Sequence, residues 1–217
     1  MESALLTKTE FDAHVASKTL RLSFVGMSNC GKSYRSKVLE RECGFFWYQV
    51  DGDILNELGF KDEAEISAWL GYPTSPTYSE RERRYIELEN EFTGKAAMAS
   101  PGKNLVFDTT GSVIHLDPAT LAALRENTLV VHLDVGEESL DMLIAKFFEK
   151  PKPVAWSGYF SQAAGESEME ALRRSYPALL AERLERYRAL AHVEIPARDM
   201  RDKSGVETLG LIRNKLK

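Results

Sequence analysis

The sequence predicts an α/β fold in which a parallel sheet is covered by helices on both faces, and three observations point there. Five short apolar runs read as buried strands, at 19–25, 45–50, 104–108, 128–135 and 192–196. Stretches with helical spacing separate them, and the glycine-rich run "GMSNCGKS" joins the first strand to the helix that follows. Strands that are apolar along their whole length and alternate with amphipathic helices need cover on both faces of the sheet.

Residues 1–18 form an N-terminal extension in which Phe11, Ala13 and Val15 are spaced too briefly to decide between helix and lead-in. The first strand, "TLRLSFV", runs into Gly26, Gly31, Lys32 and Ser33, which satisfy G-x-x-x-x-G-K-[ST] in the strand-to-helix setting that the pattern requires. The glycines let the backbone wrap phosphate oxygens, while successive N–H groups and the helix N-terminus supply partial positive charge. Lys32 reaches the terminal phosphates and Ser33 can ligate Mg²⁺, so a nucleotide with Mg²⁺ is the expected ligand of the loop. Asn29, Cys30 and Tyr34 complete the expected loop contacts. Cys30 lies beside backbone donors and Lys32, surroundings that lower a thiol pKa, although a small spacer residue serves equally well there. Cys43 is expected to be buried and inert.

The second strand carries Phe45, Phe46, Trp47 and Tyr48, expected in the sheet core, and ends in "VDGD". Its carboxyl end is where open α/β sheets meet their ligands, which makes Asp51 and Asp53 candidate catalytic carboxylates. Phosphoryl transfer uses one carboxylate for the attacking hydroxyl's proton and another for the metal; an N-cap before "ILNEL" is the structural alternative. Residues 52–100 form a helical region, including the stretch from Ser79. The third strand ends in "FDTTGS", where Asp108 suits Mg²⁺ coordination through water and Thr109 and Thr110 are further contacts. A D-x-x-G switch is the rival reading, but no N-K-x-D guanine-reading run accompanies it. Helices are expected from Pro118 and Glu137, and the segment 149–168, with Trp156, Tyr159 and Phe160, reads as a lid in which Trp156 covers a ligand. The other reading is a surface excursion packed by its own side chains. Helices from Glu168 and Gly205 flank the last strand.

At 217 residues and 43% hydrophobic content, one domain spanning 1–217 is expected. The net charge of −5 is spread among interspersed signs, which excludes a nucleic-acid stripe and a polybasic membrane patch and leaves a small molecule as the partner. Two cysteines are too few for a disulfide scaffold, the N-terminus lacks a basic-then-apolar layout, and a cytoplasmic monomer is the expectation. The four histidines show no metal-ligand spacing.

These motifs together resemble the shikimate kinase family, within the P-loop small-molecule kinases, from about residue 19 to the end. "GMSNCGKS" resembles that family's phosphate loop, and "VDGD" its acidic signature, whose first Asp assists Mg²⁺ and whose second contacts the acceptor hydroxyl. The resemblance therefore implies a metal role for Asp51 and an acceptor role for Asp53. "RRYIELE" is similar to the helix that places an arginine on the acceptor carboxylate, implying Arg84, with Arg83 beside it; "ERLERY" implies Arg183 as the second. "FFEKPKP" falls where the family has an Arg-Pro pair, so Lys150 and Pro151 stand in, and "PARDMRDKSG" resembles the adenine-side loop, with Arg198 or Arg201 as its arginine. The fold implied is a P-loop NTPase-type three-layer sandwich with a five-stranded parallel sheet of order 2-3-1-4-5 and a lid. The activity implied is transfer of the γ-phosphoryl group of ATP to a hydroxyl of a small polar metabolite, carboxylated or not.

Departures leave the acceptor open. Where the family has three glycines the chain has "TTGS", keeping only Gly111, so threonine side chains narrow or re-polarise that pocket. Lysine replaces arginine at the lid, which loses the bidentate fork, and "WLGYPTSPTY" is an unusual insert. A nucleoside or nucleotide kinase, and a nucleotide-dependent regulatory protein without chemistry, stand as alternatives.

Overall fold

A computed structural model of the chain describes residues 6–149 and 154–217. Lys150 and Pro151, the lid pair expected from the sequence, lie outside the described residues. Five strands, β1 (Arg21–Val25), β2 (Phe46–Gln49), β3 (Leu105–Asp108), β4 (Leu129–Asp134) and β5 (Val193–Pro196), form one parallel sheet among those residues. Its order is β2-β3-β1-β4-β5, as the resemblance implied. The helices are α1 (Lys8–Ser17), α2 (Lys32–Cys43), α3 (Val50–Leu58), α4 (Glu63–Leu70) and α5 (Tyr78–Met98) in the first half. They continue as α6 (Pro118–Asn127), α7 (Leu140–Glu149), α8 (Glu168–Leu190), α9 (Ala197–Met200) and α10 (Gly205–Asn214).

Local chemistry sets the helix ends. Thr7 with Glu10, Ser167 with Glu170 and Ser204 with Glu207 each form a reciprocal capping box that satisfies two otherwise unpaired backbone donors. The first of these turns the undecided N-terminal pattern into a helix. It buries Phe11 and is tied to the C-terminal region by a two-pronged Arg213–Asp12 pair at 2.7 Å.

Alternation along the strands divides the core into two layers. Leu22, Phe24, Val106 and Val131 pack with Leu39 of α2 and Ile212 of α10, whereas Leu105, Phe107 and Val130 pack with Leu88 of α5 and Leu184 of α8. Both faces are covered, so the strands read as continuous apolar runs. The aromatic run of β2 departs from expectation. Phe45 is buried, but Phe46 is 42% exposed and Trp47 and Tyr48 are half-buried, because β2 is the outermost strand. The last turn of each parallel strand opens toward the same edge, and there the phosphate loop, the start of α3 and the turn after β3 converge.

Trp156 also departs from expectation. It is 1% exposed and packs against Phe160 and Tyr176, with ring centroids 5.7 Å away in both cases, so it belongs to the core. The backbone around it is pinned: the Trp156 N–H donates to the Tyr78 hydroxyl at 2.9 Å, the Ser157 N–H to Glu82 at 2.9 Å, and Arg183 donates to the Ala155 carbonyl at 2.7 Å. Trp156→Ala is accordingly expected to lower the unfolding free energy by about 3–5 kcal/mol. Urea unfolding checks this; a side chain whose task was to cover a ligand would leave the midpoint in place.

Candidate active site

The loop of residues 26–33 leaves β1 and enters α2 at its amino end. A Cβ on Gly26, whose φ is +143°, would lie 2.8 Å from the Leu133 carbonyl oxygen, so only glycine lets the loop lie this close to β4. Lys32 is buried, and its Nζ donates to the carbonyls of Gly26 at 2.8 Å and Met27 at 3.0 Å. The ammonium thus spans the loop from within, where phosphate oxygens would compete with those carbonyls for it.

Ser33 donates to one oxygen of Asp108, and the indole N–H of Trp47 to the other, both at 2.5 Å. The strand register explains the meeting, since Asp108 is level with Phe24 of β1 and Gln49 of β2 at the carboxyl edge. A hydroxyl and a carboxylate side by side form a hard-oxygen set suited to Mg²⁺. Among the described residues no group of three or more His, Cys, Asp or Glu forms a metal cage.

Beside the loop lies a cavity of about 70 Å³, walled by Ser28, Lys32 and Ser33 on one side. Asp51 from α3, Glu63 and Ile66 from α4, Tyr85 from α5, and Thr110 and Gly111 from the turn after β3 close the other. Asp51 and Asp53 do not cap α3: the helix begins at Val50, Gln49 takes the cap position, and both aspartates fall in the first turn, where the helix dipole favours them. Their side chains part company. Asp51 borders the cavity, whereas Asp53 hydrogen-bonds the Tyr48 phenol, whose pKa is raised by burial first and by Asp53 next.

The arginines separate in the same way. Arg84 is on the outer side of α5, its side chain 46% exposed and paired with Glu57 at 3.5 Å and Glu87 at 3.8 Å; Arg83 also reaches Glu87, at 4.0 Å. The inward residues of that helix are Tyr85, Leu88 and Glu89. Arg183 is 3% exposed, and its Nη1 lies 3.4 Å from where a Cβ on Gly111 would sit. The same Cβ would come within 3.1 Å of the Ser28 hydroxyl, so the one glycine kept in "TTGS" lets this turn approach both the loop and the arginine. The Tyr187 hydroxyl donates to the Gly111 carbonyl.

Glu89 has no counterpart among the residues singled out in the sequence. It is fully buried and accepts hydrogen bonds from Thr110 and from Ser112, the latter at 2.6 Å, so the Thr110 hydroxyl is engaged by Glu89. Burial raises its pKa to about 7 against the opposing effect of those hydroxyls, and the charge of Asp51 adds to the rise. The native state therefore keeps a proton that the unfolded chain loses above its ordinary carboxyl pKa of 4.5. Its contribution is full below that value and disappears as pH rises through about 7, a loss of roughly 3 kcal/mol. His115, pushed down to about 3 mainly by burial, works in the opposite direction, because the unfolded state binds its proton between about 3 and 6.5. The comparison must therefore be with Glu89→Gln: between pH 5 and pH 8 the parent should lose stability relative to the variant, as read by urea unfolding at both values. Parallel pH profiles would contradict this.

A larger cleft of about 730 Å³ opens on the other side of the loop, within the size range of small-molecule sites. Asn29, Gly31 and Tyr34 border it, as do Arg198 and Arg201 after β5. Arg198 is exposed and pairs with Glu138 at 3.5 Å. Cys30 also borders it, yet its pKa is raised: desolvation of the buried thiol outweighs the charge of Lys32, contrary to the lowering expected from the loop's donors. Cys43 is half-buried, its thiol likewise raised by burial. No described helix is long and apolar enough to cross a membrane.

No protein-family model matches the sequence, and neither does any curated protein. Solved structures do match. The shikimate kinase of Acinetobacter baumannii in complex with shikimate superposes with a TM-score of 0.63 at 22% identity, covering 95% of this chain and 99% of that one. The shikimate kinase of Bacteroides thetaiotaomicron gives 0.60 at 17% identity over 90% and 97% of the two chains. That of Aquifex aeolicus gives 0.52 at 18%, over 89% and 93%. At these identities the likeness is one of architecture, and the chain has the P-loop kinase fold of the shikimate kinases.

Proposed function

We propose that this protein is an ATP-dependent kinase that passes the γ-phosphoryl group to a hydroxyl of a small polar metabolite. The observation that carries this reading is a single juxtaposition: a phosphate loop with a buried lysine, the Ser33–Asp108 pair, and a cavity lined by both the loop and Asp51. A loop alone would serve many nucleotide-binding proteins; a carboxylate across a small cavity from it is what a hydroxyl acceptor requires.

In this scheme the nucleotide lies along the large cleft, with Arg198 or Arg201 on its base side and the phosphates in the loop. Lys32 and the loop N–H groups hold the terminal phosphates, and Ser33 with Asp108 holds Mg²⁺. When bound, Mg²⁺ supplies charge neutralisation along the terminal phosphates. Asp51 orients the acceptor hydroxyl and takes its proton as the oxygen attacks phosphorus, the role that the sequence pattern gave to Asp53. Arg183, behind Gly111 and next to Ser28, offsets negative charge on the transferring group. Glu89 holds the Thr110–Ser112 turn in place through its two hydroxyl donors.

A coupled ADP assay with ATP and Mg²⁺, run with and without a panel of hydroxylated metabolites, tests the reading. ADP release stimulated by an acceptor is the expected outcome. Nucleotide binding with no acceptor stimulation would instead favour a regulatory protein.

A further inference from the structure

We infer that Tyr34 and Arg35 form the base-recognition element of the large cleft, Tyr34 as the platform on which a purine stacks and Arg35 as the residue that positions it. The inference deepens the kinase reading above and rests on its placement of a nucleotide in that cleft. Tyr34 and Arg35 directly follow Lys32 and Ser33 in α2, and both border the cleft. Of the large apolar side chains left exposed among the described residues, two border it: Tyr34, 60% exposed, and Met142 of α7, 50% exposed. One such side chain on a surface is ordinary, but two from separate helices at one cleft suit the flat apolar faces of a base.

The Tyr34 ring is held in place from within. The Arg35 guanidinium lies over it, 4.6 Å from the ring centroid, a cation–π contact that orders an otherwise exposed aromatic. Arg35 is itself fixed: it is 2% exposed, and its Nη1 donates to the Lys203 carbonyl at 2.5 Å and to the Thr208 hydroxyl at 3.2 Å. Both partners follow Arg198 and Arg201 in the segment after β5, so one side chain joins the phosphate-loop helix to the base side of the cleft. Its charge acts on Glu42, whose carboxylate accepts from the Gly205 N–H at 2.7 Å and from Arg41 at 2.6 Å. Nη2 is closed off from solvent and has no hydrogen-bond partner among the described residues. An arginine kept only as a brace between two segments would spend that donor too. The spare donor marks a guanidinium whose flat face, turned to the Tyr34 ring, is in use beside its edge.

The test is calorimetry on the full chain with Mg²⁺, comparing ADP, CDP and pyrophosphate, the last of which carries phosphates without a base. The parent should bind ADP at least about tenfold tighter than CDP or pyrophosphate, since stacking on an aromatic ring is worth roughly that much and a two-ring base covers more of it. Tyr34→Ala should erase this preference by weakening ADP while pyrophosphate binds as before, and Tyr34→Phe should preserve it. Arg35→Lys keeps the charge but loses the flat guanidinium, and should lower the preference in the same direction. Equal binding of ADP and CDP by the parent overturns the inference. So does a preference that survives in Tyr34→Ala or Arg35→Lys or is lost in Tyr34→Phe, or a fall in pyrophosphate binding that matches the fall for ADP. Acceptor-stimulated ADP release without base selectivity defeats this inference and leaves the kinase reading intact. Base-selective binding without such release does the reverse.

Discussion

Lys32→Met is expected to lower acceptor-stimulated ATP turnover by about 10²–10³-fold or more, the range for removing one preorganised donor from developing charge. Lys32 is the one cation inside the phosphate loop, and burial makes its charge count for more than it would in water. The loss should fall on turnover and on nucleotide affinity together, since the ammonium meets the phosphates in ground state and transition state alike. The variant also leaves the Gly26 and Met27 carbonyls without their donor, a structural cost of about 1–3 kcal/mol. Circular dichroism and thermal unfolding, run beside the ADP assay and a fluorescent-nucleotide titration, separate a folded inactive protein from an unfolded one.

Asp51→Asn and Asp53→Asn should differ sharply although only Gly52 separates them. The first removes the proton acceptor from the cavity and is expected to reduce kcat by about 10²–10⁴-fold, with affinity for an ATP analogue nearly unchanged. The second breaks a hydrogen bond to the Tyr48 phenol and should alter kcat by less than about tenfold, its main effect being on stability. Steady-state kinetics on the two variants decide the assignment. If Asp53→Asn were the crippled one, the acceptor would have to approach from the β2 side, and the role given to the small cavity would be wrong.

The contrast between these aspartates shows where sequence reading stops. The five strands and the glycine-lysine loop could be read because each is a short-range signal, an apolar run or a strand-to-helix turn with one mechanical use, whereas the sheet order came only from the family resemblance. Asp51, Asp53, Arg83 and Arg84 were equally legible as residue types, but which of them faces inward depends on helix phase. Phase is set where α3 and α5 pack, not by the motif itself. Tyr85, Leu88 and Phe92 mark the inward stripe of α5, and Glu89 beside Leu88 could have been flagged from that stripe as a buried acid. Nothing comparable pointed to Trp47. Its partnership with Asp108 arises because an outermost strand lies level with the strand that carries the aspartate, a tertiary fact with no local trace. Trp156 misled because aromatic content in a Pro- and Gly-rich segment looks the same whether the ring covers a ligand or anchors the segment against α8.

The most direct measurement is ³¹P NMR of the protein incubated with ATP, Mg²⁺ and a panel of hydroxylated metabolites, carboxylated and neutral. A phosphomonoester resonance growing in step with ADP is the predicted result. ADP accompanied only by inorganic phosphate, or no consumption of ATP at all, would contradict the proposal that this site hands a phosphoryl group to an acceptor hydroxyl.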